Sequence, residues 1–289
     1  MPALKQNSMM ATEVRLLKSK ATGKTYKLSI ALPLAYNNDE HVTIAPFFDE
    51  SPSAWPVVYV PDSNWYFGIV TDTVRFMGWG GRTTDAIIVG IGYPEEGSPL
   101  ETWRKVVALR THDLTPRQSD KSEAYNSEWL KVRVKTGGGP DFLRFLKQEL
   151  IPLIDQEYRT DPGKRTLAGH SHGGGFALFA MLEEPELFRT YIASSPSLDF
   201  ADNFLFVLES EYAKKHKTLH AQVYLSAGEL EQDGADEDET LTNMHRFAAA
   251  LESRKYKGFL LTKQVLPYYN HIELASPAFP AGLKIALKK

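Results

Sequence analysis

Six short apolar runs, bounded by turn residues and separated by longer stretches, constrain the fold of this chain more than any other feature. They are PVVYV (56–60), AIIVGIG (86–92), RTLAG (165–169), TYIAS (190–194), VYLSAG (223–228) and FLLTKQVL (259–266). PVVYV lacks the polar–apolar alternation of a half-exposed strand, as expected of a strand covered on both faces of a parallel sheet. Helices are expected near 65–77, 174–184, 204–214, 240–254 and 278–287. Strand, helix, strand at this spacing is a βαβ unit. Its repetition predicts an α/β fold with a mostly parallel central sheet and helices on both faces.

Two further strands are expected at 13–18 and 25–32, and a surface loop at 35–54. Phe142, Leu146, Leu150 and Leu153 fall at helical spacing, which predicts a helix over 141–158 that Pro152 should kink or end early. Residues 93–140 are polar, rich in Pro and Gly and without a strong period, so they are expected to be loop-rich. No internal repeat or Gly/Ser-rich linker interrupts the chain, and a single domain over 1–289 is the expectation.

Composition then removes whole classes of chemistry. The chain has 289 residues, 43% hydrophobic and 24% charged, and no cysteine. Disulfides, thiolate metal sites and a cysteine nucleophile are thereby excluded. The net charge is −3 with Lys and Arg scattered, so no basic stripe for nucleic acid is present. The first residues contain no apolar core of a signal peptide, and no run approaches the roughly 20 apolar residues of a membrane helix. The expectation is a cytoplasmic protein acting on a small molecule, with no nucleic-acid or membrane partner; a homodimer stays open.

The sharpest chemical motif is Gly169-His170-Ser171-His172-Gly173, a G-x-S-x-G match between an expected strand and an expected helix. That context is the strand–turn–helix of a nucleophile elbow, in which a strained turn presents the serine hydroxyl near a helix N-terminus. A serine needs a base. Of eight histidines, His170 and His172 flank the serine and should point away from each other. His41 falls in a polar loop, and His216, His220 and His245 in or beside surface helices. His112 stays open as a substrate contact. His271 follows the last strand in a loop before the final helix, on the carboxyl edge of the sheet with the elbow, and is the expected base. The orienting acid should lie just past VYLSAG, which favours Glu231, then Glu229, with Asp199 weaker; a Ser–His dyad without an acid is the other arrangement open. The rest of that loop, including Asp233, Asp236, Glu237, Asp238 and Glu239, reads as a solvated acidic segment. Two backbone N–H donors should hold an oxyanion: His172, and Asn64 (then Ser63) from the loop after PVVYV. Trp65, Tyr66, Trp129 and Tyr269 are candidate pocket walls.

Beyond these residues, PVVYVPDSNW (56–65), VGIGYP (89–94), RTHDLTP (110–116), YRTDPGKRTLAGHSHGG (158–174), ASSPSL (193–198) and LSAGELE (225–231) resemble the esterase family of the α/β-hydrolase superfamily. This group includes enterochelin-type siderophore esterases and esterase D-like enzymes. The resemblance implies an α/β-hydrolase fold and an esterase with Ser171 as nucleophile, His271 as base and no metal or organic cofactor. It also implies that 110–116 lines the pocket, with Arg110 a candidate substrate contact beside Asp62, Trp65 and Tyr269. An acyltransferase of the same fold and an inactive binding protein are the alternatives.

Overall fold

The apolar runs form the strands of one sheet. In chain order these are β1 (Thr12–Lys18), β2 (Thr25–Ala31), β3 (Trp55–Pro61), β4 (Ile87–Gly92), β5 (Thr160–His170), β6 (Thr190–Ser194), β7 (Gln222–Gly228) and β8 (Leu260–Leu266). The computed structural model describes residues 9–36, 52–232 and 239–289. Most of the expected loop at 35–54, with His41, and the acidic residues Asp233, Asp236, Glu237 and Asp238 lie outside the described residues.

The spatial order is β1-β2-β4-β3-β5-β6-β7-β8. β1, β2 and β4 pair antiparallel, and β4 through β8 are parallel. Every residue of β3, β4 and β6 is buried, as their unalternated apolar sequences require. β8 closes one edge and is mostly exposed.

Helices cover both faces. On one face lie α1 (Ser63–Trp79) and α9 (Ala275–Ala286), whose Val70, Val74, Ala278, Phe279 and Leu283 pack on Val58, Val60 and Ile192. The other face carries α4 (Gly139–Phe145), α5 (Ile151–Glu157), α6 (His172–Glu183), α7 (Phe200–Lys215) and α8 (Thr240–Arg254) over a core that includes Tyr59, Leu167, Phe176 and Phe247. Among the described residues no helix is long and apolar enough to cross a membrane.

Two regions differ from the sequence expectation. Residues 93–140 are not predominantly loop: they contain α2 (Pro99–Asp113) and α3 (Asp120–Leu130). These helices bury few side chains (Val106, Thr111 and Asp113 in α2, Leu130 in α3), so no apolar stripe announces them. The start of α2 is nonetheless encoded locally, because Ser98 and Glu101 form a reciprocal capping box around Pro99. The helix expected over 141–158 is continuous, but Leu146–Leu150 form a π turn between α4 and α5. The wider turn falls directly ahead of Pro152, which has no N–H for ordinary helical bonding to the preceding turn.

α9 lies directly on the sheet because Gly282 has no side chain. A Cβ there would fall 2.7 Å from Ile192 Cγ2 and 2.9 Å from the Tyr224 ring. Both neighbours are fully buried and cannot swing aside. Gly282→Ala is expected to destabilise the protein by about 1–3 kcal/mol from overpacking, outweighing the ~1 kcal/mol helix-propensity gain. Urea unfolding checks the sign.

Candidate active site

Four strand ends converge on one edge of the sheet. β5 ends in the bend at Ser171, β3 in Asp62, β6 in Ser194-Ser195, and β7 in a 3-10 turn at Glu229–Gln232. The loop after β8 brings His271 to the same edge.

Ser171 occupies φ 59, ψ −123, a conformation that an L-residue adopts at a cost of about 1–3 kcal/mol. The bend exists because strand and helix touch backbone to backbone. A Cβ on Gly169 would fall 2.2 Å from the Gly173 carbonyl oxygen, and one on Gly174 would fall 2.8 Å from that of Ser194. Ser171 N–H donates to the Ser194 carbonyl at 2.9 Å, and its own carbonyl accepts the Gly175 N–H at 2.9 Å, starting α6. The hydroxyl does not cap the helix it precedes. His172 is the first residue of α6, where a backbone N–H has no intrahelical acceptor.

On the same edge of the sheet, His271 Nδ1 lies 2.8 Å from Glu231 Oε2. Glu231 Oε1 accepts the Gly228 N–H at 2.7 Å and the hydroxyl of Ser195. The carboxylate is fully buried, whereas the imidazole is about one-third exposed. Burial opposes ionisation of Glu231, but the hydrogen bonds from His271, Ser195 and Gly228 outweigh it and hold its carboxyl below the usual range. Of the other acids left open by the sequence, Glu229 accepts the Tyr268 N–H at 3.0 Å instead, and Asp199 lines a cleft beside His172. A second close backbone approach fixes this corner: a Cβ on Gly228 would fall 2.2 Å from the Tyr269 carbonyl oxygen, which accepts the Leu230 N–H at 3.1 Å. Tyr269 thus contributes its backbone here, and its ring packs on the core beside α9.

The turn after β3 is built around Asp62, which has the left-handed φ 57, ψ 32 and makes no side-chain cap to α1. Its carboxylate is held by Arg110 of α2 through a bidentate pair, Nε–Oδ1 2.7 Å and Nη2–Oδ2 2.8 Å. Arg110 also lies 5.7 Å over the Trp65 ring. Burial opposes the guanidinium charge, but Asp62 more than compensates and holds its pKa above the ordinary value. The expected substrate contacts Arg110 and Asp62 are therefore partners of each other. The Asn64 side chain is spent on the segment just after β4, accepting the Tyr93 N–H at 2.8 Å and donating to the Tyr93 carbonyl at 3.0 Å and to Glu95 Oε1 at 2.9 Å. Its backbone N–H belongs to the first turn of α1, again without an intrahelical acceptor. The two turns adjoin, since a Cβ on Gly173 would be 3.4 Å from Asp62 Oδ2.

The histidines flanking Ser171 face different surroundings. His170 is buried, with Nδ1 3.0 Å from Ser194 Oγ, its ring 4.9 Å from that of His271, and a hydrogen bond to the His271 backbone. Burial first, then the neighbouring His271 and Arg110, push it down to about 3. His172 is likewise pushed to about 3, by burial and then by Arg110 and His271. Its ring stands edge-on to Phe200 at 5.6 Å. From there a cleft of about 640 Å³ opens, lined among others by Arg117, Lys121, Tyr125, Asn126 and Asp199.

Other candidates lie elsewhere. His112 is 2.9 Å from Asp113 Oδ1 and 2.9 Å from Lys24 Nζ, in a cluster where Tyr26 and Tyr93 also donate to Asp113. Trp129 packs edge-on against Trp103 on the surface of α3 and α2, and Tyr66 lies under His170 and against Phe279. Trp65 is 39% exposed and lines a groove with Trp103. Sequence reasoning passed over Ser195, for which the only signal was the ASSPSL segment.

The chain matches the family described as "Putative esterase" over residues 19–272. It is 34% identical over 227 residues to the ferri-bacillibactin esterase BesA of Bacillus subtilis, covering 76% of this chain and 71% of that protein. With the siderophore enterobactin esterase of Emericella nidulans it shares 26% identity over 213 residues, 72% of this chain and 66% of that one. The crystal structure of the BES protein from Bacillus cereus superposes with a TM-score of 0.79 at 26% identity, covering 100% of this chain and 99% of that one.

Two predictions follow from the electrostatics. Arg110→Ala leaves the Asp62 carboxylate buried and unpaired, and should cost about 3–5 kcal/mol in urea unfolding. The low pKa of His170 and His172 means the unfolded chain binds the extra protons. The stability they contribute is complete above 6.5, their ordinary value, and lost as pH falls from there toward about 3. Unfolding followed between pH 7 and 5 should show this decline, and His170→Gln should flatten it.

Proposed function

The chain belongs to this esterase family, and from that membership we propose that it is a serine hydrolase cleaving carboxylic esters of the siderophore type through an acyl-enzyme. The observation that carries the reading is the His271–Glu231 pair at 2.8 Å, on the same sheet edge as the strained bend at Ser171. With Nδ1 committed to Glu231, the imidazole keeps Nε2 for a proton from the serine hydroxyl. Ser171 Oγ attacks the ester carbonyl as Nε2 takes that proton. The N–H groups of His172 and Asn64 receive the oxyanion. Collapse expels the alcohol, which takes the proton from His271. Water then attacks the acyl-enzyme by the same route and releases the acid.

The surroundings favour this division of labour. His170 and His172 stay neutral well below physiological pH, so neither places a positive charge beside His271 when it must accept a proton. The cleft next to His172 mixes cationic, anionic, amide and aromatic side chains. A polar, multiply hydrogen-bonding ester suits it, and the two curated relatives named above are esterases of siderophores. Ser171, Glu231 and His271 follow β5, β7 and β8 of one eight-stranded sheet.

A fluorophosphonate probe should label the wild-type chain at Ser171, and Ser171→Ala should lose labelling and at least about 10³-fold in kcat. In a panel of esters, ferri-bacillibactin and enterobactin, for which the two relatives are named, should outrank p-nitrophenyl esters of long acyl chains in kcat/KM. Retained turnover in Ser171→Ala would sink the reading.

A further inference from the structure

We propose that Ser195 is a positioning residue of the reaction: its hydroxyl orients the Glu231 carboxylate so that Oε2 faces His271. The inference rests on the reading of Ser171, Glu231 and His271 given above and extends it to a residue that touches none of the reacting atoms.

The two oxygens of Glu231 have different partners. Oε2 meets His271 Nδ1 at 2.8 Å. Oε1 takes two donors from different elements, the Gly228 N–H at the end of β7 and the Ser195 hydroxyl at the end of β6. One donor to Oε1 would leave the carboxyl plane free to turn about its terminal torsion, which is intrinsically broad. Two donors from separate strands fix both the position of Oε1 and the plane, and therefore the direction of Oε2. With glutamate's three torsions rather than aspartate's two, that second anchor matters more.

The backbone of Ser195 argues that the hydroxyl is the reason for the residue. Ser195 has φ 41, a left-handed conformation in which glycine would be the low-cost choice. It is completely buried. Its N–H donates to the Ser226 carbonyl at 2.8 Å, locking it to β7. The residue before it, Ser194, serves the other side of the site: its carbonyl accepts the Ser171 N–H at 2.9 Å and its Oγ lies 3.0 Å from His170 Nδ1. β6 lies between β5 and β7, so this pair of serines spans the gap between the nucleophile's strand and the acid's strand.

The test is a double-mutant cycle in which kcat and KM are measured for wild type, Ser195→Ala, Glu231→Ala and the double variant, with Ser195→Gly as a second removal of the hydroxyl that tolerates positive φ. Thermal unfolding checks that each is folded. Ser195→Ala should lower kcat roughly tenfold, the cost of stripping one donor from a buried carboxylate, with KM within about twofold of wild type. In the Glu231→Ala background the same substitution should change kcat by less than about twofold, because the group it acts through is gone. The proposal is overturned if both Ser195 variants match wild type, or if the loss is equal in both backgrounds. If Glu231→Ala itself is near wild type, the acid's role and this proposal fall together while Ser171 and His271 stand. Turnover by Ser171→Ala would instead remove the underlying reading.

Discussion

The contact on which the site depends is between bare backbones, where β5 meets α6. With only about 2.2 Å between a would-be Cβ on Gly169 and the Gly173 carbonyl, the chain can reverse direction within a single residue. That residue, Ser171, carries the conformational cost and projects beyond the strand ends. The parallel sheet brings the remaining groups to it, because each successive strand delivers its last residues at the same edge. A similar backbone approach at Gly228 and Tyr269 seats the His271 loop against the acid's turn. Both corners are thus held by backbone packing rather than by side chains that could swing away.

Charge is distributed with comparable economy. The Arg110–Asp62 pair ties the otherwise lightly packed α2 to the turn that starts α1, and its cation discourages protonation of His170 and His172. Asp62, in the position of an N-cap, would ordinarily accept N–H groups from the first turn of its helix. With its carboxylate drawn to Arg110, Asp62 leaves the first N–H groups of that turn without a side-chain cap.

Much of this was readable in the order of residues. Unalternated runs such as PVVYV and TYIAS identified buried parallel strands, and G-x-S-x-G between a strand and small helical residues identified the bend. The choice of Glu231 over Glu229 could be stated as a preference, but separating them needs the side-chain directions, which send Glu229 to the Tyr268 N–H. α2 and α3 escaped because helices that bury so few side chains lack periodicity, although the Ser98–Glu101 capping box was present to be read. Arg110 and Asp62 were singled out as contacts for a ligand, whereas a sequence cannot reveal that two residues 48 positions apart neutralise each other. Ser195 carried no motif of its own, since its significance lies in a three-dimensional coincidence of strand ends.

The π turn at Leu146–Leu150 has a consequence for how this region tolerates change in length. Such a turn accommodates one more residue than the surrounding α-helix would, and an α-helix rotates by about 100° per residue. Removing one residue between 146 and 150 would restore regular bonding with the two helical halves still in phase, because the π turn takes up one extra residue over about the same rotation. Ile151 and Ile154, both buried, would keep facing the core. The irregular turn thus absorbs one residue of length, and the stretch should tolerate a single deletion that an unbroken α-helix would not.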